Sequence, residues 1–524
     1  MSRRGMVAAA HPLAAQAGAR ILGSGGNAFD AAVATAAALD VVEPYMSGLA
    51  GMGVATIYVA AERRVRCLDF VPDVPLQFDP DARGEDDLVS GPHGVGPPAN
   101  LAGWLMLLET YGTRSRDDVF ADAINLARDG FPVTHGNTHL IEGCIDKFTG
   151  FTCWSDSFLD LGRVPRAGWI LCQPDLADTY GSIASEGGDY LYNGSLGHAL
   201  AKEIQDFGGA LSMDDLASVE ARWVDPIQYR YRELDVCTGP PPSEGFQMLL
   251  ALGMLDCSEF ESLRANDTVH LDRVIRAIRI SARERLRLAN APRAVISEML
   301  MPESIEHLCG MLDTNDATDG LTEQIGAPTS SGSFPDPHRE HTTSFSIMDV
   351  EGNVVCLTQS LGGAFGSGIV VPGYGVTTNN LLNWGDLDPR SPNHLYPGSP
   401  LSLPIAPSIS LLEGDPVLAL GTPGSYGICQ TQTQAIVQWA DFGLDIQAAI
   451  EAPRMRVLDG AIVLIESRIE SRVIEELRAH GHDAQVTDPW TMTVGGMQGV
   501  ARDRATRTLQ GGADPRRDGY AIGV

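Results

Sequence analysis

Apolar residues recur along this chain with two periods, and the change from one to the other divides it. Residues 12–23, Pro-Leu-Ala-Ala-Gln-Ala-Gly-Ala-Arg-Ile-Leu-Gly, carry Pro in the first turn and Gly at the end, which predicts a helix. Ala28 to Val42 is Ala-rich and apolar almost all round, which predicts a buried helix. Val54–Ala60 and Arg64–Phe70 read as two strands across a polar turn. Further helices follow. One opens after Gly96 and stops at Gly112, one spans Arg116 to Asp129 before Gly130, and one runs from Leu196 to Phe207 before Gly208-Gly209. Ser212 is a helix cap, 246–256 is a helix after the Pro240-Pro-Pro-Ser loop, and 268–292 is a long Arg-rich helix. No repeat is visible. The first two-thirds is helix-rich and the last third strand-rich.

The shift to a period of two is sharpest at residue 342. A Gly/Ser/Pro-rich run, Gly326 to Pro337, is loop material. Past it, Phe345 and Ile347 alternate with Ser344 and Ser346, the pattern of a half-buried strand. Glu351-Gly352-Asn353 is a turn signal, and Val354 to Ser360 reads as the returning strand. Closing a hairpin there makes the numbers of paired residues sum to about 702, give or take one. The partner of Thr342 is then Gln359, Ser360 or Leu361.

That register gives Thr342 a chemical reading. A threonine in mid-chain is a poor nucleophile and needs a base. If the bond between His341 and Thr342 is cut, Thr342 gains an α-amine with a pKa of about 7.7–8.0 beside its own hydroxyl. One residue then supplies nucleophile and base, with Ser360 placed to orient the hydroxyl. Downstream, Val417 to Leu420 is a strand ending in Gly421-Thr-Pro-Gly-Ser-Tyr-Gly427, with a helix from about Cys429. Free backbone N–H groups at such a helix start suit an oxyanion hole.

Composition narrows the alternatives. The 524 residues carry a net charge of −30, which opposes binding to nucleic acid or an anionic membrane surface. Lys147 and Lys202 are the only lysines, and neither stands in a context suited to a Schiff base. Nine cysteines without a CxxC pair read as reduced, mostly buried thiols. The start of the chain lacks a sustained apolar stretch and there is no 18-residue apolar span, so a cytoplasmic location is expected. Gly23-Ser-Gly-Gly and Gly48-Leu-Ala-Gly-Met-Gly fit neither nucleotide-binding spacing and read as turns. His338, Glu340 and His341 lack HExxH order and read as solvated loop residues, so no metal and no cofactor is expected.

Several motifs, in order, resemble the γ-glutamyltranspeptidase family over essentially the whole chain. They are Val7-Ala-Ala-Ala-His-Pro-Leu-Ala, Gly25-Gly-Asn-Ala-Phe-Asp-Ala-Ala, Val42-Glu-Pro, Gly188-Asp-Tyr-Leu-Tyr-Asn-Gly, Thr342-Thr-Ser-Phe-Ser-Ile-Met-Asp, Phe365-Gly-Ser-Gly, Asn379-Asn380 and Gly421-Thr-Pro-Gly. The resemblance implies an α+β fold, the four-layer αββα sandwich of N-terminal-nucleophile hydrolases. It implies self-cleavage into a large subunit (1–341) and a small one (342–524) that stay together as an intertwined heterodimer, with any higher oligomer built from it. It makes Thr342 the nucleophile, Ser360 its hydrogen-bonding partner, and Gly424 and Ser425 the oxyanion donors.

The acyl side departs from the family. Val71 stands where the family's carboxylate-binding arginine falls, Gly362 where an asparagine does, Leu381 and Trp384 where polar groups hold an α-amine, and Leu403-Pro404 where a Ser-Ser pair sits. Burying both charges of a free glutamyl group without partners costs several kcal/mol. The expectation is therefore an amidohydrolase for a small non-glutamyl amide, working through an acyl-enzyme. The Asn393-His-Leu-Tyr-Pro-Gly segment resembles relatives of the oxamate amidohydrolase type. The alternatives are an acyltransferase, glutathione hydrolase-like or other, and a non-catalytic scaffold of the same fold.

Overall fold

A computed structural model describes residues 1–260, 263–313 and 341–524. The loop expected over Gly326 to Pro337, and His338 and Glu340, lie outside the described residues. Two antiparallel sheets stack face to face. The first has seven strands in the order Tyr520–Gly523, Gly5–Ala9, His341–Asp349, Val354–Gly362, Met52–Val59, Arg64–Phe70, Arg222–Val224. The second has six, in the order Leu509–Ala513, Gln498–Arg502, Asp415–Gly421, Ser408–Leu412, Leu234–Thr238, Ile227–Tyr231. Segments from before and after residue 341 thus share both sheets.

Helices cover the two outer faces, which makes the architecture the α+β four-layer αββα sandwich. Pro12–Gly23, Ala28–Val42 and Asn100–Tyr111 lie on the first sheet, over Val7, Ile57, Phe345, Ile347 and Val355, with Arg116–Asp129 packed on Ala28–Val42 and Pro174–Glu186 on Arg116–Asp129. Phe246–Asp256, Thr268–Leu288 and Ile428–Ala440 lie on the second, over Val236 and Leu418. Between the sheets pack Ala8, Tyr58, Met348, Cys356, Ile409, Ala419 and Val500. No helix among the described residues is long and apolar enough to cross a membrane.

The predicted elements recur with small end shifts. The helices at Pro12–Gly23 and Ala28–Val42 have the predicted bounds, and the long Arg-rich helix ends at Leu288 rather than near 292. Every residue of Ala28–Val42 is buried. The capping box of Asn27 and Asp30 starts it, with Asn27 Oδ1 accepting from the N–H groups of Phe29 and Asp30.

Two expectations change. The strand His341–Asp349 is buried along its whole length, not on one face. Its alternation separates two interiors: Phe345 and Ile347 face helices, while Ser344 and Ser346 face the second sheet. Ser344 bonds Thr358 on the neighbouring strand, and Ser346 Oγ donates to the Gln498 carbonyl at 3.0 Å. A sequence pattern distinguishes small polar from large apolar faces, but it cannot say whether the polar face meets water. The cysteines are also not all reduced. Cys257 and Cys309 form a disulfide across the packed helices Phe246–Asp256 and Pro302–Met311, 52 residues apart in sequence. That pairing depends on helix packing, which cysteine spacing does not encode.

Burial also sets the pH response of the fold. Asp40, near the end of the Ala28–Val42 helix, accepts a hydrogen bond from the Tyr180 hydroxyl. Desolvation raises its carboxyl to about 7, against smaller lowering contributions from the Tyr180 and Leu49 hydrogen bonds. A carboxyl raised on folding stabilises the fold fully below its unfolded pKa, and that contribution is lost as pH rises through the folded value. From about pH 4 to pH 8 this group alone withdraws about 4 kcal/mol. Asp40→Asn removes the titration while keeping an acceptor for Tyr180. Its melting temperature is expected to fall less than that of the parent between pH 5 and pH 8 when scanned by calorimetry. Equal falls would show that Asp40 does not titrate there.

Candidate active site

The strand that begins at His341 brings the central residues together. Thr343 pairs with Gln359 and His341 with Gly362, so Ser360 and Leu361 both stand opposite Thr342. This is a β-bulge, two residues against one, and it re-aims the Ser360 side chain. The Thr342 hydroxyl donates to Ser360 Oγ at 3.2 Å, Ser360 Oγ donates to the His341 carbonyl at 2.7 Å, and the Gly362 N–H donates to Ser360 Oγ at 2.9 Å. A hydroxyl has one proton and two lone pairs. The carbonyl can only accept and the amide can only donate. The remaining lone pair therefore takes the Thr342 proton, and both lone pairs of the Thr342 oxygen stay available for bonding to carbon. His341, expected in solvent, is 1% exposed. It is the first residue of the strand, and ladder pairing with Gly362 draws it inside.

The helix-facing side of the same strand carries a second polar group. The Thr343 hydroxyl donates to Glu43 Oε2 at 2.7 Å, and Trp104 Nε1 donates to Gln359 Oε1 at 3.0 Å. Glu43 follows the Ala28–Val42 helix. Burial raises its carboxyl to about 7, while Arg517 and the Thr343 bond pull it down and Asp518 pushes it up. Arg517 Nη1 reaches the Thr342 carbonyl at 3.4 Å and Met46 Sδ at 3.2 Å. Sequence reasoning assigned no role to Glu43 or Arg517. The Val42-Glu-Pro motif was a signal for the first, and nothing local marks the second.

Gly424 and Ser425 lie in the loop after the strand Asp415–Gly421. Gly421 abuts the strand His341–Asp349 so closely that a Cβ there would sit 2.1 Å from Ser344 Oγ. Gly424 has φ 131° and Ser425 φ 55°, and a single turn at Ser425–Gly427 leads into the helix Ile428–Ala440. Two successive left-handed residues turn the chain so that its N–H groups precede a helix. A serine in that region costs about 1 kcal/mol that a glycine avoids.

The register of the first sheet places the residues expected on the acyl side. Ser360 pairs with Met52, and extending the Gly53–Phe70 pairing one step sets Met52 opposite Val71. Thr342, Ser360, Met52 and Val71 thus form one cross-strand row on the face toward the second sheet. Neighbouring strands lie about 4.8 Å apart, so Val71 stands roughly 14 Å from Thr342. Met52 and Val71 share a buried cluster with Leu381, Trp384 and Leu403, and Tyr426 packs against it. Trp384 meets Tyr426 edge-on at 5.6 Å between centroids. Gly362 stays outside the row, because a Cβ there would meet Asn380 Oδ1 at 2.3 Å. The buried Asp69 carboxyl adjoins the row, its Oδ1 accepting from the Val71 N–H at 3.0 Å, and behind Tyr426 Glu244 and Arg285 are committed to each other at 2.9 Å, with the Arg285 guanidinium over the Tyr426 ring at 4.3 Å. Met52 was missed in the sequence because only strand pairing places it beside Ser360. Among the described residues no group of three or more His, Cys, Asp or Glu is arranged to hold a metal ion.

The chain is similar to known proteins over its full length. The Gamma-glutamyltranspeptidase family profile matches residues 14–524. A glutathione hydrolase proenzyme of Bacillus subtilis (strain 168) is 32% identical, with 100% of this chain and 92% of the relative covered. An acylase ACY 1 proenzyme of Pseudomonas sp. (strain SE83) is 33% identical, covering 99% and 94%. The crystal structure of cephalosporin acylase from Bacillus halodurans superposes with a TM-score of 0.89 at 29% identity, covering 100% of this chain and 96% of that one.

The Ser425 side chain has no part in an oxyanion site built from backbone N–H groups. Ser425→Gly is therefore expected to keep amide turnover within about twofold and to gain up to about 1 kcal/mol from relief of the left-handed serine. A large loss of turnover without loss of fold would mean that the hydroxyl itself is used.

Proposed function

The chain belongs to the γ-glutamyltranspeptidase family, and from that premise we propose that it is a self-processing amidohydrolase whose Thr342 hydroxyl attacks a small non-glutamyl amide. It is an enzyme of the class that hydrolyses amide bonds, as its relatives are. One observation carries the nucleophile assignment: the Ser360 hydroxyl is bonded both to the Thr342 hydroxyl and to the His341 carbonyl, at 3.2 and 2.7 Å. In the uncut chain that bond polarises the carbonyl which Thr342 must attack. Thr342 Oγ adds to it, the C–N bond breaks as nitrogen takes a proton, and an ester joins His341 to the Thr342 oxygen. Water hydrolyses the ester, leaving residues 1–341 with a new carboxylate and 342–524 with a free α-amine. The proenzyme names of the relatives support this processing.

In the cut enzyme the α-amine takes the proton of the Thr342 hydroxyl as it attacks the substrate carbonyl. The N–H groups of Gly424 and Ser425 hold the oxyanion, the leaving amine departs protonated, and water releases the acid from the acyl-threonine. No step calls on a metal or cofactor. The acyl group would lie over Met52 and Val71 against Leu381, Trp384 and Tyr426. Those apolar side chains favour an uncharged or weakly polar acyl group over a glutamyl one, whose α-carboxylate would find no cation among them.

Denaturing electrophoresis tests the processing step. Parent protein is expected to run as two bands, from 1–341 and 342–524, and Thr342→Ala as one inactive band. Cleavage that persists in Thr342→Ala would sink the assignment. Ser360→Ala is expected to slow self-cleavage about 10²-fold, the usual loss for one donor to a developing oxyanion. Ser360→Thr is expected to restore it. A screen of small amides, with γ-glutamyl anilide and oxamate among them, reads the acyl preference. Faster turnover of the glutamyl substrate than of an apolar acyl anilide would overturn the non-glutamyl reading. Product formed on an added dipeptide would mark an acyltransferase, and an uncut, unreactive chain a scaffold.

A further inference from the structure

We propose that Arg517 and Glu43 are the positioning pair of the nucleophile, holding the first two residues of the cut strand and setting the proton affinity of the Thr342 amine through their opposite charges. The inference rests on Thr342 being the amine-terminal nucleophile.

Cleavage at 341–342 removes the peptide bond that anchors Thr342 on its N-terminal side. What remains must hold a residue whose amine and hydroxyl both have to point correctly. Strand pairing begins only at Thr343 with Gln359. Two side chains reach the strand start from elements distant in sequence. Arg517, near the chain's end, donates to the Thr342 carbonyl at 3.4 Å, and Glu43, at a helix end, accepts from the Thr343 hydroxyl at 2.7 Å. One grips each of the first two residues, by backbone and by side chain. Neither contact involves an atom that reacts, so both survive cleavage.

The charges act unequally on the amine. Within one residue the amine nitrogen and carbonyl oxygen are at most about 3.6 Å apart by bond geometry. The guanidinium nitrogen therefore stays within about 7 Å of the amine. The Glu43 carboxylate touches the strand one residue further on, through the Thr343 side chain. A cation favours the neutral amine, the form that can accept the Thr342 proton, and an anion favours the ammonium. Among the described residues, the charged or titratable groups around the site also include Asp514 and Asp518 on the C-terminal segment, Tyr45 after the Ala28–Val42 helix, the buried His341 imidazole, and the His341 carboxylate that cleavage creates. Thr134 Oγ1 donates to Asp518 at 2.6 Å, and Asn137 Nδ2 donates to the Tyr45 hydroxyl at 2.8 Å, so those two groups are held in place. Burial lowers the Arg517 guanidinium and raises the Glu43 carboxyl, as a partly desolvated pair requires, and each moves the other back toward its charged form.

The pH profile of kcat/KM separates this role from a structural one. Its acid limb reports the amine of the free enzyme. Arg517→Met is expected to move that limb up by about one pH unit and Glu43→Gln to move it down by about half a unit. The double variant is expected to lie between them, and Arg517→Lys, which keeps the cation, close to the parent. Each variant is first run on a denaturing gel, so that only cut enzyme is profiled. If Arg517→Met is not processed, the Glu43→Gln limb decides alone. Lower kcat with an unmoved limb in the variants that are cut, or a shift of the opposite sign, overturns the proposal. Such a result leaves the nucleophile assignment standing, because that assignment fails only if Thr342→Ala is cut or active.

Discussion

The site depends on one saturated hydroxyl. Ser360 Oγ donates to the His341 carbonyl and accepts from Thr342 and from the Gly362 N–H, so every hydrogen-bonding capacity it has is used. The arrangement can exist in only one proton order, and that order leaves the Thr342 oxygen free to react. It exists because a bulge sets two residues against one at the end of a hairpin. A regular ladder would place Ser360 directly across from Thr342, without the extra residue that carries the Gly362 N–H back to the Ser360 hydroxyl.

The stacking of the sheets gives that hydroxyl its surroundings. The strand His341–Asp349 is buried on both faces, with helices on one side and the second sheet on the other. Buried hydroxyls need partners, and Ser344 and Ser346 find them on the adjoining strand and on the opposite sheet. Close approach of the sheets is set by Gly421, which leaves no room for a side chain over Ser344. The same strand then runs into the Gly424–Ser425 turn, so one packing contact fixes where the candidate oxyanion donors begin. Two buried charge pairs flank the site: Glu244 with Arg285 behind Tyr426, and Glu43 near Arg517 at the strand start. Between these pairs the row runs from the hydroxyls of Thr342 and Ser360 to the apolar Met52 and Val71, and the proposed substrate class rests on that apolar end.

Much of the fold was legible because its signals are local. Pro12, Gly23, Asn27 and Gly130 punctuate helices whose apolar faces repeat at helical spacing, and those bounds reappear with small shifts. The hairpin was legible because Glu351-Gly352-Asn353 fixes a centre, and the alternation then fixes the register to within one residue. The residues missed share a cause. Met52 enters through strand pairing, Arg517 through a segment 175 residues from Thr342, and Cys257–Cys309 through helix packing. His341 was misjudged because a residue next to a polar run reads as solvated, whereas ladder pairing with Gly362 buries it.

The sequence alone singled out Thr342 and Ser360 as the candidates for chemistry along the hairpin, at a spacing that the turn residues and the period of two determine. It also raised the expectation that the acyl side lacks the charges a glutamyl group needs, since Val71, Leu381 and Trp384 are apolar. Tertiary structure decided which atoms meet. Only the bulge gives Ser360 its three partners, only sheet register lines Met52 up with Val71, and only the return of the chain's end brings Arg517 to the Thr342 carbonyl. Turn chemistry and side-chain periodicity act over a few residues, so sequence carries them. Contacts between distant segments depend on how whole layers pack, and no local pattern records that.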